Sequence, residues 1–165
     1  LDGLRWLETH QPPEPAVPSV LHLDFHPGNI LIDGNRVTGV IDWPNVGFGD
    51  PAADVATTRV LLTAGPLDVP GWARPPVNAL RQWLARRYTN AYLKRRPLPR
   101  SSLRYYEALR CFLAMLHASE IRVAVRAGGT AESRGYAWGA PDQVRRMTAL
   151  FNRVTGVPLR LPPPN

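Results

Sequence analysis

His22-Leu23-Asp24-Phe25-His26-Pro27-Gly28-Asn29 leads into Ile30-Leu31-Ile32, a turn at Asp33-Gly34-Asn35, and Val37 to Ile41. Asp42-Trp43 follows, then Gly49-Asp50-Pro51-Ala52-Ala53-Asp54. Two short apolar β-branched runs around a Gly-centred turn predict a β-hairpin. Folding it at Gly34 brings Asn29 and Asp42 together at its open end. Asp24 lies where the preceding strand, Val20 to Leu23, becomes a loop, so Asp24, Asn29 and Asp42 should converge. Two carboxylates and a carboxamide oxygen are hard ligands suited to Mg²⁺, which binds few protein oxygens and completes its shell with water and phosphate. Asp50-Pro51 reads as a helix start, an acidic N-cap followed by proline at the first helical position.

Outward from this segment the chain becomes helical. The helix after Asp50 should run to about Ala64 and close at Gly65. Residues 76–95 place Val77, Leu80, Leu84, Tyr88 and Tyr92 on one face. Residues 102–126 should end at Gly128-Gly129. Within them Cys111 to Leu116 is apolar on every side, which predicts a central buried helix. Residues 142–154 carry Val144, Met147, Leu150, Phe151 and Val154 and stop at Gly156. A hairpin region followed by four helices makes the fold class α+β, mostly α. Upstream, residues 1–10 read as the end of a helix, with Leu1, Leu4 and Leu7 at helical spacing and no start signal. Gln11 to Pro18 cannot be helix and reads as a Pro-rich connector. Residues 1–18 are thus expected to be the end of an upstream helix plus a connector leading into residues 19–165, with part of a longer protein upstream.

Composition narrows the function. The 165 residues include 20 Lys and Arg against 13 Asp and Glu, a net charge of +7. The charge is uneven: residues 1–54 hold eight acids and two bases, and residues 55–165 hold 18 bases and five acids. A basic half raises nucleic-acid or anion binding. The arginines are dispersed, however, and few aromatics alternate with them, so no specific nucleic-acid site is expected. The single cysteine, Cys111, excludes an intrachain disulfide and a Cys-cluster zinc site, and reads as a buried hydrophobe. No signal peptide is recognisable and no apolar run is long enough to span a bilayer, so a cytoplasmic protein without a membrane partner is expected.

His22, Asp24 and Asn29 fit the H-x-D-x-x-x-x-N spacing of the protein-kinase catalytic loop, with Asp42 after the hairpin as the second metal-binding acid. The stretch H-L-D-F-H-P-G-N-I-L-I-D-G-N-R-V-T-G-V-I-D-W, together with G-D-P-A-A-D-V-A and the upstream W-L-x-x-x-x-P-P-E-P, resembles the aminoglycoside phosphotransferase / choline kinase family of small-molecule kinases over residues 5–56. The resemblance implies the C-terminal lobe of a protein-kinase-like fold, with the N-terminal nucleotide lobe outside this chain as its partner. It also implies ATP, or another nucleoside triphosphate, and Mg²⁺ as cofactors, and a small-molecule hydroxyl as acceptor. Asp24 would be the catalytic base or hydroxyl orienter, and Asn29 and Asp42 the Mg²⁺ ligands. His26 would contact the nucleotide phosphate, His22 would brace the catalytic loop, and Asp54 would tie that loop down. The family commonly has Gly where this chain has Leu23. Trp43-Pro44 follows the metal-binding Asp, and Lys94, the sole lysine, does not resemble a nucleotide-lobe lysine. The +13 helical half favours a neutral or anionic acceptor, unless acids such as Glu107, Glu120 and Glu132 line the acceptor groove.

Two other readings use the same residues. His22, Asp24 and His26 alternate, and an extended strand would put them on one side, with Asp42 completing the zinc site of a hydrolase. A kinase-like lobe could also act as a non-catalytic binding module. His117 and Glu120 share a helix face and read as surface residues.

Overall fold

A computed structural model describes residues 2–66, 69–126 and 140–159. Asp50 and Pro51 start its central helix as their sequence dictates. Asp50 is extended at the N-cap, and its Oδ1 accepts a 2.8 Å hydrogen bond from the Ala52 N–H. Helix α2 (Pro51–Ala64) then buries Ala52, Val55, Ala56 and Val60 completely. This near all-round burial lets α2 separate two layers. On one side lie the strands that carry the polar motif; on the other lie α3 (Arg74–Arg95), α4 (Arg100–Arg126) and α5 (Pro141–Thr155).

The larger core cluster joins α1 (Asp2–Thr9) to α2, α4 and α5 through Trp6, Leu7, Val60, Ala108, Cys111, Met115, Met147 and Phe151. A smaller one sets Ala52, Val55 and Leu103 against Tyr88 and Tyr92 of α3. The fold is α+β and mostly helical. No helix among the described residues is long and apolar enough to cross a membrane.

Two antiparallel pairs form the β layer. Strands β2 (Ile30–Asp33) and β3 (Arg36–Val40) make the expected hairpin, with Ile30 opposite Val40 and Asp33 opposite Arg36. Gly34 sits at the turn with φ 58°, a conformation that costs glycine little. Strands β1 (Ser19–Leu21) and β4 (Gly47–Gly49) form a second pair, Val20 opposite Phe48. The strand expected over Val20 to Leu23 stops at Leu21, because Leu23 turns to φ 60°. The arm expected to reach Ile41 ends at Val40, two residues before the backbone turns again at Asp42, φ 65°.

Two helix expectations are corrected in part. Of the face expected on α3, Leu80 is 54% exposed, while Tyr88 and Tyr92 pack on the smaller core cluster; the buried positions of α3 are Ala85 and Thr89. Helix α4 buries Cys111, Ala114 and Met115, but Leu113 and Leu116 are each 47% exposed, so only one side of the Cys111 to Leu116 run is core. Helix α2 ends at Ala64 and is capped by Gly65, as expected, with φ −60°; Gly156 closes α5 in the left-handed conformation, φ 77°. The expected stop at Gly128-Gly129, and Glu132, lie outside the described residues.

Candidate active site

The site begins where β1 delivers His22 into the interior, 3% exposed. Its Nδ1 accepts a 3.2 Å hydrogen bond from the Asp24 N–H. The ring proton therefore sits on Nε2, which donates to the Ile41 carbonyl oxygen at 2.9 Å. Trp43 covers the ring, centroids 4.4 Å apart, and Phe25 meets its edge. With both nitrogens engaged, His22 has no lone pair to offer a metal, which removes it from a zinc site shared with Asp24, His26 and Asp42. Among the described residues no group of three or more His, Cys, Asp or Glu side chains is placed to hold a metal ion.

Leu23 adopts a conformation that an L-residue with a side chain resists, at about 1–2 kcal/mol. Its N–H donates to Asp54 Oδ1 at 2.7 Å. Asp54 lies in the first turn of α2, four residues after the capping Asp50. That places its charge where the helix dipole favours an anion. The helix-start motif thus both opens α2 and ties down the loop. Tyr88 of α3 backs the same junction, packing on Phe25 at 6.0 Å. Burial raises its hydroxyl pKa to about 12; Thr58 opposes the rise, and Asp54 and Tyr92 add to it.

Beyond Leu23, Asp24 presents a carboxylate that is 26% exposed, with His26 Nε2 3.9 Å from its Oδ2. His26 Nδ1 accepts from the Gly28 N–H at 3.1 Å, capping a single 3-10 turn over Pro27–Asn29. A Cβ at Gly28 would stand 2.9 Å from the His26 ring, so a side chain there would push against the capping imidazole. The His26 N–H is then left on Nε2, the nitrogen nearer Asp24. Asn29, 6% exposed, donates from Nδ2 to the Asp24 carbonyl oxygen at 2.9 Å. This orients the amide and leaves its Oδ1 as the acceptor available to a cation.

Asp42 reaches the site through its neighbour. The Ile41 N–H donates to the Asn29 carbonyl oxygen at 3.0 Å, and the Ile41 carbonyl is the acceptor for His22. Ile41 is thereby fixed from both sides, and Asp42 follows it, exposed and at positive φ. Non-glycine residues in that conformation cluster at functional sites, where surrounding bonds hold the strain. Among the described residues the two such non-glycine positions, Leu23 and Asp42, flank the same His22–Ile41 bond. Asn29 Oδ1 and the Asp42 carboxylate are a donor set that fits Mg²⁺, which takes one or two protein oxygens and keeps the rest for water and phosphate.

One charged neighbour has no signal in the sequence. Arg110 of α4 is largely buried; burial lowers its pKa, while the Asp24 carboxylate and Cys111 favour its charge. Nothing in the spacing around residue 110 links it to residue 24, because the link is made by the packing of α4 on α2. His117 and Glu120 are exposed and 3.6 Å apart on α4, as their shared face implies. Glu107 is not an open acid: it is buried against Arg59, Nε to Oε1 2.6 Å.

Residues 2–98, more than half of the chain, match the family model described as phosphotransferase enzyme family. A 49-residue stretch is 51% identical to the uncharacterized protein YcbJ of Bacillus subtilis (strain 168), covering 29% of this chain and 16% of that protein. A 42-residue stretch is 45% identical to hygromycin-B 4-O-kinase from Escherichia coli, covering 26% of this chain and 12% of the relative. The matched segments thus span less than a fifth of these relatives' lengths. No solved structure matches the chain.

Proposed function

The chain belongs to the aminoglycoside phosphotransferase family of phosphotransferase enzymes, and from that premise we propose that it carries the catalytic loop of a small-molecule kinase. The reaction moves the γ-phosphoryl group of ATP, or another nucleoside triphosphate, to an alcohol. The oxygen of the acceptor hydroxyl forms a bond to phosphorus, the bond from phosphorus to the β–γ bridging oxygen breaks, and the nucleoside diphosphate leaves. Asp24 orients the hydroxyl and takes its proton. His26 places an N–H beside Asp24, where it contacts the phosphate. Asn29 and Asp42 hold Mg²⁺ by Oδ1 and the carboxylate. The metal, when bound, offsets the negative charge on the phosphate oxygens. His22 and Asp54 are positioning residues, acting through Ile41 and Leu23.

The observation that carries this reading is the double hold on Ile41 by His22 and Asn29. It ties the loop bearing Asp24 to the arm bearing Asp42. The relative named for hygromycin B supports a hydroxyl-bearing small molecule as acceptor. The excess of arginine over acid in the helical half favours a neutral or anionic one, and Glu107, buried against Arg59, is not available to an acceptor cation. The nucleotide contacts are completed by an N-terminal lobe, and specific nucleic-acid binding is no part of the function.

The test is a panel of sugars, amino alcohols and aminoglycosides offered with γ-labelled ATP and Mg²⁺ to the full-length protein. Label transferred to one acceptor, and lost in Asp24→Asn, supports the assignment. If no acceptor is labelled although nucleotide binds, the chain is a binding module and the kinase reading fails.

A further inference from the structure

A second polar site lies outside the catalytic loop. A cleft of about 390 Å³ opens among α2, α3 and α5, with Glu107 of α4 at its base. Arg59, Arg146 and Arg153 line it, with Asn78 and Gln82 of α3. Three guanidinium groups thus face one carboxylate, an excess of two positive charges.

The single carboxylate does not satisfy this cluster. Arg59 engages Glu107 at 2.6 Å, and Arg153 acts on the same carboxylate only through its charge. Arg146 donates from Nη2 to Gln143 Oε1 at 2.9 Å, yet its Nε is buried without a hydrogen-bond partner among the described residues. Nearby, Arg81 spends Nε and Nη2 on the carbonyls of Leu62, Leu61 and Gly65, and its Nη1 is also buried and, among the described residues, unpartnered. Burial first, and then the Arg146 charge, lower the Arg81 pKa. Like charges held close at partly buried guanidinium groups are costly, and an anion that also accepts hydrogen bonds from the cleft-lining arginines relieves that cost.

We propose that this cleft, lined by Arg59, Arg146 and Arg153, binds the phosphate group of a small anionic ligand. A phosphomonoester carries close to two negative charges near neutral pH, which matches the excess, and its three oxygens match forked guanidinium donors. The volume suits a small metabolite with polar atoms for Asn78 and Gln82. The site does not depend on the kinase reading, because it shares no residue with the catalytic loop.

The test is calorimetric titration of the full-length protein with inorganic phosphate and, separately, glycerol 3-phosphate. Mg²⁺ is omitted so that the Asp24 and Asp42 carboxylates repel the probes. Saturable binding of either probe is expected. It should weaken about tenfold or more in Arg153→Gln and in Arg146→Gln, the worth of a charge-assisted hydrogen bond. Arg153 is exposed, so its replacement leaves the core intact. Arg87→Gln, on an exposed arginine stacked over Trp83 at 5.4 Å, should bind like the wild type. Tighter binding of the ester assigns the cleft to an organic phosphate, and tighter binding of phosphate assigns it to the free ion. Absence of saturable heat up to about 10 mM of both probes, or equal losses in all three variants, overturns the proposal.

Discussion

His22 Nε2 lies 2.9 Å from the carbonyl oxygen of Ile41, nineteen residues along the chain, and this bond joins the two halves of the candidate site. The same ring holds the Asp24 N–H at its other nitrogen. The imidazole is a rigid strut whose two ends fix the backbone beside the proposed base and the proposed metal ligand.

Replacing the strut should therefore damage both halves together. His22→Ala leaves the Ile41 carbonyl and the Asp24 N–H without partners, at a cost of about 1–3 kcal/mol for each group that water does not reach. It also opens a void beneath Trp43. We expect a lower Tm, a lower kcat and a raised requirement for Mg²⁺. A His22→Ala protein with wild-type Mg²⁺ dependence would show that the strut does not position Asp42. Chemical denaturation and a Mg²⁺ titration make the comparison.

Leu23 offers a sign test. In ordinary strands and helices glycine is the less stable choice relative to alanine by roughly 0.5–1 kcal/mol. At φ 60° the order should invert, because alanine retains the Cβ penalty and glycine does not. Leu23→Gly is expected to be more stable than Leu23→Ala by about 1 kcal/mol, the lost leucine packing being common to both. Urea midpoints of the two variants decide it, and alanine equal to or above glycine would mean that position 23 is unstrained.

Glu107 gives a pH dependence. Burial raises its pKa from the ordinary 4.5, with Arg59 and then Arg153 opposing the rise. A carboxyl whose pKa is raised on folding binds its proton more tightly in the folded state. Its contribution to stability is fully present below the unfolded pKa and is lost as pH rises through the folded value. Glu107→Gln lacks this titration. The stability of the wild type relative to Glu107→Gln should thus fall from about pH 4 upward through the window above 4.5. A difference that grows with pH would mean that the Arg59 pair outweighs desolvation. Paired thermal melts across that range measure it.

The parts of the fold set by local rules are legible in the sequence. Gly34 in an alternating apolar stretch specifies the hairpin, and Asp50-Pro51 specifies the start of α2. The spacing of Asp24, Asn29 and Asp42 is likewise local, because one hairpin relates them. The rest depends on packing. Strand β4 is three residues that begin and end with glycine, too short to show a period, and exists because it pairs with β1. The exposure of Leu113 and Leu116 has no sequence signal, since a run apolar on every side does not say which side finds a partner. Arg110 approaches Asp24 only through the docking of α4. The positive φ at Leu23 runs against its residue type and is imposed by the Asp54 and His22 contacts on either side.

The central claim is that Asp24 handles the acceptor hydroxyl and Asp42 the metal, and the two roles should fail differently. The measurement is kcat and ATP affinity of Asp24→Asn and Asp42→Ala across a Mg²⁺ titration in the full-length protein. Asp24→Asn should lose about 10²–10⁴ in kcat with nucleotide affinity nearly intact. Asp42→Ala should weaken Mg²⁺-dependent nucleotide binding as well as turnover, and raised Mg²⁺ should restore part of the loss. Wild-type turnover in Asp24→Asn, or unchanged Mg²⁺ dependence in Asp42→Ala, would contradict the account.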